Sequence, residues 1–229
     1  MRRTGATAGC MVAPMVRRIA PIAALAAAVL VPAGAAHAAT LQADAACYVE
    51  KQPMQIAGTG FSAQDPITLT GPQIFASGAA DDTGGFLTAV TAPLLGTISP
   101  ATKTFTITAA GGTSGASASV HVQVATFTFD TSSGVKAPST RRTWSFSGFL
   151  QKPGTAIYGH FRHGGRTYAN YRFGVPKAPC GTLSLRAPGI PVRHPAAGKW
   201  TVQVDFEKSY DRHAAPRVTS STSVFTTLR

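Results

Sequence analysis

Acidic residues are scarce in this chain of 229 residues: 9 Asp and Glu stand against 21 Lys and Arg, for a formal charge of +12. Cysteine is scarcer, at 3, and all charged residues together make up only 13%. So few cysteines exclude a small disulfide scaffold, and 44% hydrophobic residues with so little charge exclude a disordered tail. The shortage of carboxylates also removes most acid/base chemistry. A glycosidase needs two carboxylates across a cleft, yet none occurs between Thr131 and Val204. Asp82-Thr83-Gly84 matches the core of an aspartic protease, but its only partner, Asp130-Thr-Ser-Ser133, falls at a non-equivalent point of the chain. No nucleophile elbow, phosphate-binding glycine loop or metalloprotease helix is present. Asp81 and Asp82 lack the wider oxygen set that Ca²⁺ requires, and they read as a solvated turn. His160 and His163 are three apart, which on a strand puts their rings on opposite faces and spoils a metal pair. The sequence therefore predicts no enzyme, no metal and no cofactor.

What is present begins with an export signal. Arg17 and Arg18 precede the apolar run Ile19–Val31, and the segment closes on Ala36-His37-Ala38, a small-x-small cleavage pattern. The reading is a signal peptide over residues 1–38 of a secreted, surface- or wall-associated protein. A retained anchor is the alternative, since the run nearly reaches the roughly 18–20 residues of a spanning helix; membrane contact is expected only in that case. Cys47 and Cys180 are then the thiols left in the mature chain. A single long-range disulfide and two buried free thiols both remain open, because sequence separation does not report distance in space.

From Leu41 onward the apolar residues alternate in short runs rich in Thr and Val, among them Met54–Ala57, Ile67–Thr70, Phe86–Val90, Thr104–Thr108 and Val120–Phe127. This period of two, broken by Gly and Pro turns, predicts an all-β fold. The runs occur twice. Gly60-Phe61 to Gly71 answers Gly148-Phe149 to Gly159, Gly85-Phe-Leu87 answers Gly181-Thr-Leu183, and Lys103 answers Lys199. The second copy carries eight extra residues between Gly159 and Gly181. The expectation is two tandem Ig-like β-sandwich domains, 39–130 and 131–229, joined through Asp130-Thr-Ser-Ser-Gly134 as a linker. The segments Cys47-Tyr48, Ile56-Ala-Gly-Thr-Gly-Phe61, Asp82-Thr-Gly-Gly-Phe86, Ser147-Gly-Phe149, Cys180-Gly-Thr-Leu-Ser184 and Gly198–Asp205 resemble the Ig-like modules repeated in secreted and surface proteins of GC-rich Gram-positive bacteria. That resemblance implies a sandwich serving as spacer, adhesin or ligand platform, with no shared catalytic residues.

The charge is unevenly divided. Residues 39–130 hold 2 cations and 6 acids, whereas residues 131–229 hold 15 cations and 3 acids. The extra residues fall in Ile157–Phe173, where Gly164-Gly165 suits a two-residue hairpin turn. That turn predicts His163 opposite Arg166, Phe161 opposite Tyr168 and Tyr158 opposite Tyr171. Alternation then puts Phe161, His163, Arg166, Tyr168 and Arg172 on one face and Tyr158, His160, Arg162, Tyr171 and Phe173 on the other. Arg162, Arg166, Tyr168, Tyr171 and Arg172 form the candidate ligand-binding set, suited to an anionic cell-wall polymer or acidic glycan. Edge charges that only keep a surface hairpin soluble are the competing reading. Nucleic acid is not expected, because export removes the protein from it and no binding motif is present. The function expected is a non-enzymatic interaction module, with a ligand-free structural spacer as the alternative and a hydrolase as a distant third. Trp144 and Trp200 read as core residues.

Overall fold

Alternation dictates the strands. Met54, Ile56 and Gly58 point one way along Pro53–Thr59 and their polar neighbours the other, so the segment buries one face and wets the other. The computed structural model describes residues 38–132 and 140–225; the signal segment expected over residues 1–38 lies outside them except for Ala38, as do Ser133 and Gly134 of the expected linker. The described residues belong to one compact unit and contain fifteen strands and no helix.

Strands β1 (Thr40–Ala43), β3 (Pro53–Thr59) and β6 (Phe86–Thr91) form one sheet in the order β1-β3-β6. A second sheet is ordered β2-β8-β7-β4-β5, from β2 (Cys47–Val49), β8 (Ser117–Ala125), β7 (Thr102–Gly111), β4 (Pro66–Gly71) and β5 (Ile74–Ala79). Between them lie Tyr48, Met54, Ile56, Leu69, Ile107, Val122 and neighbours, all buried. The second half repeats the pattern. β9 (Thr128–Thr131), β10 (Arg141–Ser147) and β13 (Leu183–Pro188) form a sheet ordered β13-β10-β9. β11 (Ile157–His163), β12 (Arg166–Gly174), β14 (Gly198–Asp205) and β15 (Val218–Val224) form one ordered β12-β11-β14-β15. The all-β sandwich architecture predicted from alternation is therefore the observed one. Apart from β2, which pairs parallel with β8, each sheet of the first half has a counterpart with the same strand order in the second.

The repeated Gly-Phe marks explain themselves in this frame. Phe61 N donates to Gly84 O and Phe149 N to Gly181 O, and a Cβ on either Gly84 or Gly181 would run into the carbonyl of the facing phenylalanine. Only glycine lets the chain pass so close, and both glycines adopt positive φ. Gly181 thus answers Gly84, not Gly85. Lys103 and Lys199 occupy equivalent strands but opposite faces: Lys103 shares the side of buried Phe105, whereas Lys199 alternates with buried Trp200.

The domain boundary also lies earlier than expected. Thr128-Phe-Asp-Thr131 is not a linker: Phe129 is buried, and the segment pairs with Trp144–Ser147. The alternation of one buried aromatic between polar residues was enough to make a strand despite the turn-like Ser-Ser-Gly that follows. The crossing from one sandwich to the next therefore falls at Thr126–Phe127. It is pinned there by Ser147 Oγ donating to Thr126 O (2.6 Å), by Ala101 N donating to Thr126 Oγ1 (2.9 Å), and by a disulfide between Cys47 and Cys180.

An aromatic core fills the second sandwich. Trp144 lies 4.7 Å from Phe173 by ring centroids, Phe146 lies 4.8 Å from Phe173, and Trp144 and Trp200 are fully buried, as expected of core residues.

Candidate functional site

The hairpin β11–β12 turns at Gly164-Gly165, both at positive φ, and His163 pairs with Arg166 as the turn demands. Beyond that pair the register departs from expectation. Arg162 pairs with Thr167 but Phe161 pairs with Ala169, so Tyr168 is an extra residue in a β-bulge. One inserted residue exchanges the faces of everything beyond it. Tyr158 consequently pairs with Arg172, not Tyr171. Tyr171 and Phe173 join Phe161 on the core side, and Arg172 joins Tyr158, His160 and Arg162 on the outer side.

The five candidate ligand residues do not converge on one face. Arg162 and Arg172 share the outer side of the sheet. Arg166 is exposed beside the turn, and Tyr168, 52% exposed, leans toward Trp200 at 5.3 Å and His163 at 6.2 Å. Tyr171 faces inward, its ring 5.2 Å from that of Phe173.

The outer side carries what the sequence did not reveal. His160 and Asp205 are buried there, with Nε2 3.0 Å from Asp205 Oδ1 and Nδ1 2.7 Å from Asn170 Oδ1. Asp205 and Asn170 offer both ring nitrogens an acceptor, an arrangement that favours the protonated ring. Burial pulls the His160 pKa down, but the hydrogen bonds to Asp205 and Asn170 and the charge of Asp205 outweigh it, and the net shift is upward. Burial pushes Asp205 up, and hydrogen bonds from His160, Gln203 and the Glu207 backbone more than reverse this, leaving it below its ordinary value. Asp205 Oδ1 also accepts from Glu207 N (2.8 Å), and Gln203 Nε2 donates to both Asp205 Oδ2 and Asp211 O at 2.7 Å. These bonds fasten the segment after β14 over the sheet. Tyr210 from that segment lies under the Arg162 guanidinium at 4.0 Å, and Arg162 Nη2 donates to Gly165 O at 2.6 Å.

The result is a cationic face. Arg162, Arg172 and, by alternation, Lys199 stand on it with Tyr158 and Tyr210. Asp205, the only carboxylate in the sheet's four strands, is buried and paired with His160. Chemically such a face offers charge-assisted donors and aromatic rings to an anion. His163 lies on the opposite side, stacked on Trp200 at 5.1 Å. In the first sandwich, Asp81 Oδ1 accepts from Thr83 N, Thr83 Oγ1 and Gly85 N, and Asp82 accepts from Gln64, so both aspartates organise a turn.

The fold and this face define an all-β protein of two sandwiches, the second bearing a cationic sheet. Neither a family model nor a curated protein matches the chain. Among solved structures it is similar to a tetra-tandem repeat from the extending region of a large adhesion protein, at 16% identity and a TM-score of 0.29, over 83% of this chain and 50% of that one. It thus spans about half the length of that repeat chain. It is also similar to the YadV chaperone, at 7% identity and a TM-score of 0.26, over 80% of this chain and 99% of that one.

Proposed function

We propose that the protein is an exported, non-enzymatic interaction module that holds an anionic polymer of the cell wall or an acidic glycan on the outer side of the β12-β11-β14-β15 sheet. The observation that carries this reading is the burial of Asp205 against His160, 3.0 Å from Nε2 to Oδ1. It leaves the sheet's surface to Arg162, Arg172 and Lys199 with no competing carboxylate in its strands. Tyr158 and Tyr210 add rings against which a sugar or a cation-bearing chain can lie. A positive face raises the local concentration of anions and speeds their capture in a salt-dependent way.

Co-sedimentation with purified Gram-positive cell walls tests the reading. Retention at low salt that disappears by about 0.5 M NaCl is expected. Absence of retention, or retention that ignores salt, contradicts it. In the absence of retention the protein reads as a spacer, a role that the disulfide-pinned junction between the sandwiches favours.

A further inference from the structure

A cleft of about 410 Å³ opens where the two sandwiches meet. One wall is Pro100–Thr102, just before and within β7; the other comprises Ser145–Ser147 of β10, Lys177, and Thr182–Ser184 leading into β13. Its volume lies in the range of small-ligand sites, and junctions between domains are where such sites concentrate. None of its residues belongs to the cationic sheet.

The lining has a definite chemistry. Thr102, Ser145, Thr182 and Ser184 contribute hydroxyls and Lys177 an ammonium, and among the described residues none of these side-chain groups has a hydrogen-bond partner. Ser145 and Ser184 are directly opposed across β10 and β13, so their hydroxyls are neighbours. Pro100 and Ala101, both half-buried, supply an apolar component. Several hydroxyls, one cation and an apolar patch together match a pyranose ring, which has an apolar face and a rim of hydroxyls, carrying one anionic substituent.

The walls are also held in place before any ligand arrives. Lys177 and Thr182 exchange backbone hydrogen bonds of 2.7 and 3.0 Å, which fix the root of the lysine at the cleft. Thr126 N donates to Ala101 O at 3.0 Å, and Ser147 Oγ donates to Thr126 O, tying one wall to the other. The Cys47–Cys180 disulfide clamps the same junction two residues from Thr182. A site ordered in advance loses less freedom on binding.

The geometry points to a second ligand site in this cleft, for a single acidic sugar unit, with Lys177 taking the anionic substituent and Ser145, Ser184 and Thr182 the ring hydroxyls. A carboxylate and a phosphate offer the same charge to Lys177, and the experiment separates them. Glucuronate, glucose 6-phosphate and glucose are titrated separately into the ¹⁵N-labelled full chain, followed by amide shifts. At least one acid is expected to shift Thr102, Ser145, Lys177 and Ser184 and to bind about tenfold tighter than glucose, the scale of one charge-assisted hydrogen bond. The tighter acid identifies the substituent. Lys177→Gln should abolish that preference and leave glucose binding unchanged, whereas Arg172→Glu should leave both unchanged. Equal affinity for all three sugars, no shifts in the cleft, or a preference lost in Arg172→Glu but kept in Lys177→Gln overturns the assignment. Because the cleft and the cationic sheet share no residue, failure here is distinguishable from failure of the polymer reading.

Discussion

His160 and Asp205 form a buried ion pair on the outer side of a sheet, with side chains 0% and 1% exposed and 3.0 Å between Nε2 and Oδ1. The pair anchors the segment carrying Tyr210, and Tyr210 sits under Arg162. A buried polar network thus shapes a cationic surface from beneath.

Asp205 has a folded pKa below its ordinary 3.8, so its contribution is present above about pH 4 and fades as pH falls through the depressed folded value. His160 has a folded pKa above 6.5, so its contribution is complete below that and is lost as pH rises through the raised value. Denaturant unfolding across pH should show this pair's contribution on a plateau from about pH 4 to 6.5, declining on both sides. In His160→Gln both flanks attributable to the pair should flatten.

Removing one partner leaves the other charge buried and alone. Asp205→Asn or His160→Gln should each cost about 3 kcal/mol, and the double variant should cost less than the sum of the two. Urea titrations of the three variants check this; additive losses would contradict a coupled pair.

The Cys47–Cys180 bridge closes a loop spanning 133 positions. On chain-entropy grounds its removal should destabilise the protein by up to about 5 kcal/mol. Thermal unfolding of the double Cys47→Ser, Cys180→Ser chain measures the loss. The cationic sheet, which does not contain the bridge, should retain its polymer binding while folded.

Gly181→Ala should be far more damaging than Gly165→Ala although both glycines have positive φ. A Cβ at Gly181 meets the Phe149 carbonyl, whereas one at Gly165 meets open space. The turn substitution should cost about 1 kcal/mol and the buried one at least about 3 kcal/mol, read as shifts in urea midpoint.

Much of the fold was legible because it depends on local pattern. Alternation marked the strands, the Gly-Phe pairs marked the repeat, and Gly164-Gly165 fixed the first rung of the hairpin. The candidate site was legible only in part. A bulge is one extra residue with no composition signature, and Tyr168 provides it, so Tyr171 turned inward where Arg172 turned out. Asp130 looked like the start of a linker because Ser-Ser-Gly follows it, while its strand pairing comes from β10, a partner with no local trace. His160 and Asp205 are 45 positions apart, and only sheet register brings them together. Tyr210 sits in an irregular segment whose path depends on that pair.

The most direct test of the cationic sheet is the salt dependence of binding to purified wall polymer, comparing the native chain with Arg172→Glu, Lys199→Glu. The account predicts a binding constant that falls steeply with salt in the native chain, and in the variant an affinity lower by roughly tenfold or more with a flatter slope. Equal affinity and equal slope in the two proteins would contradict it.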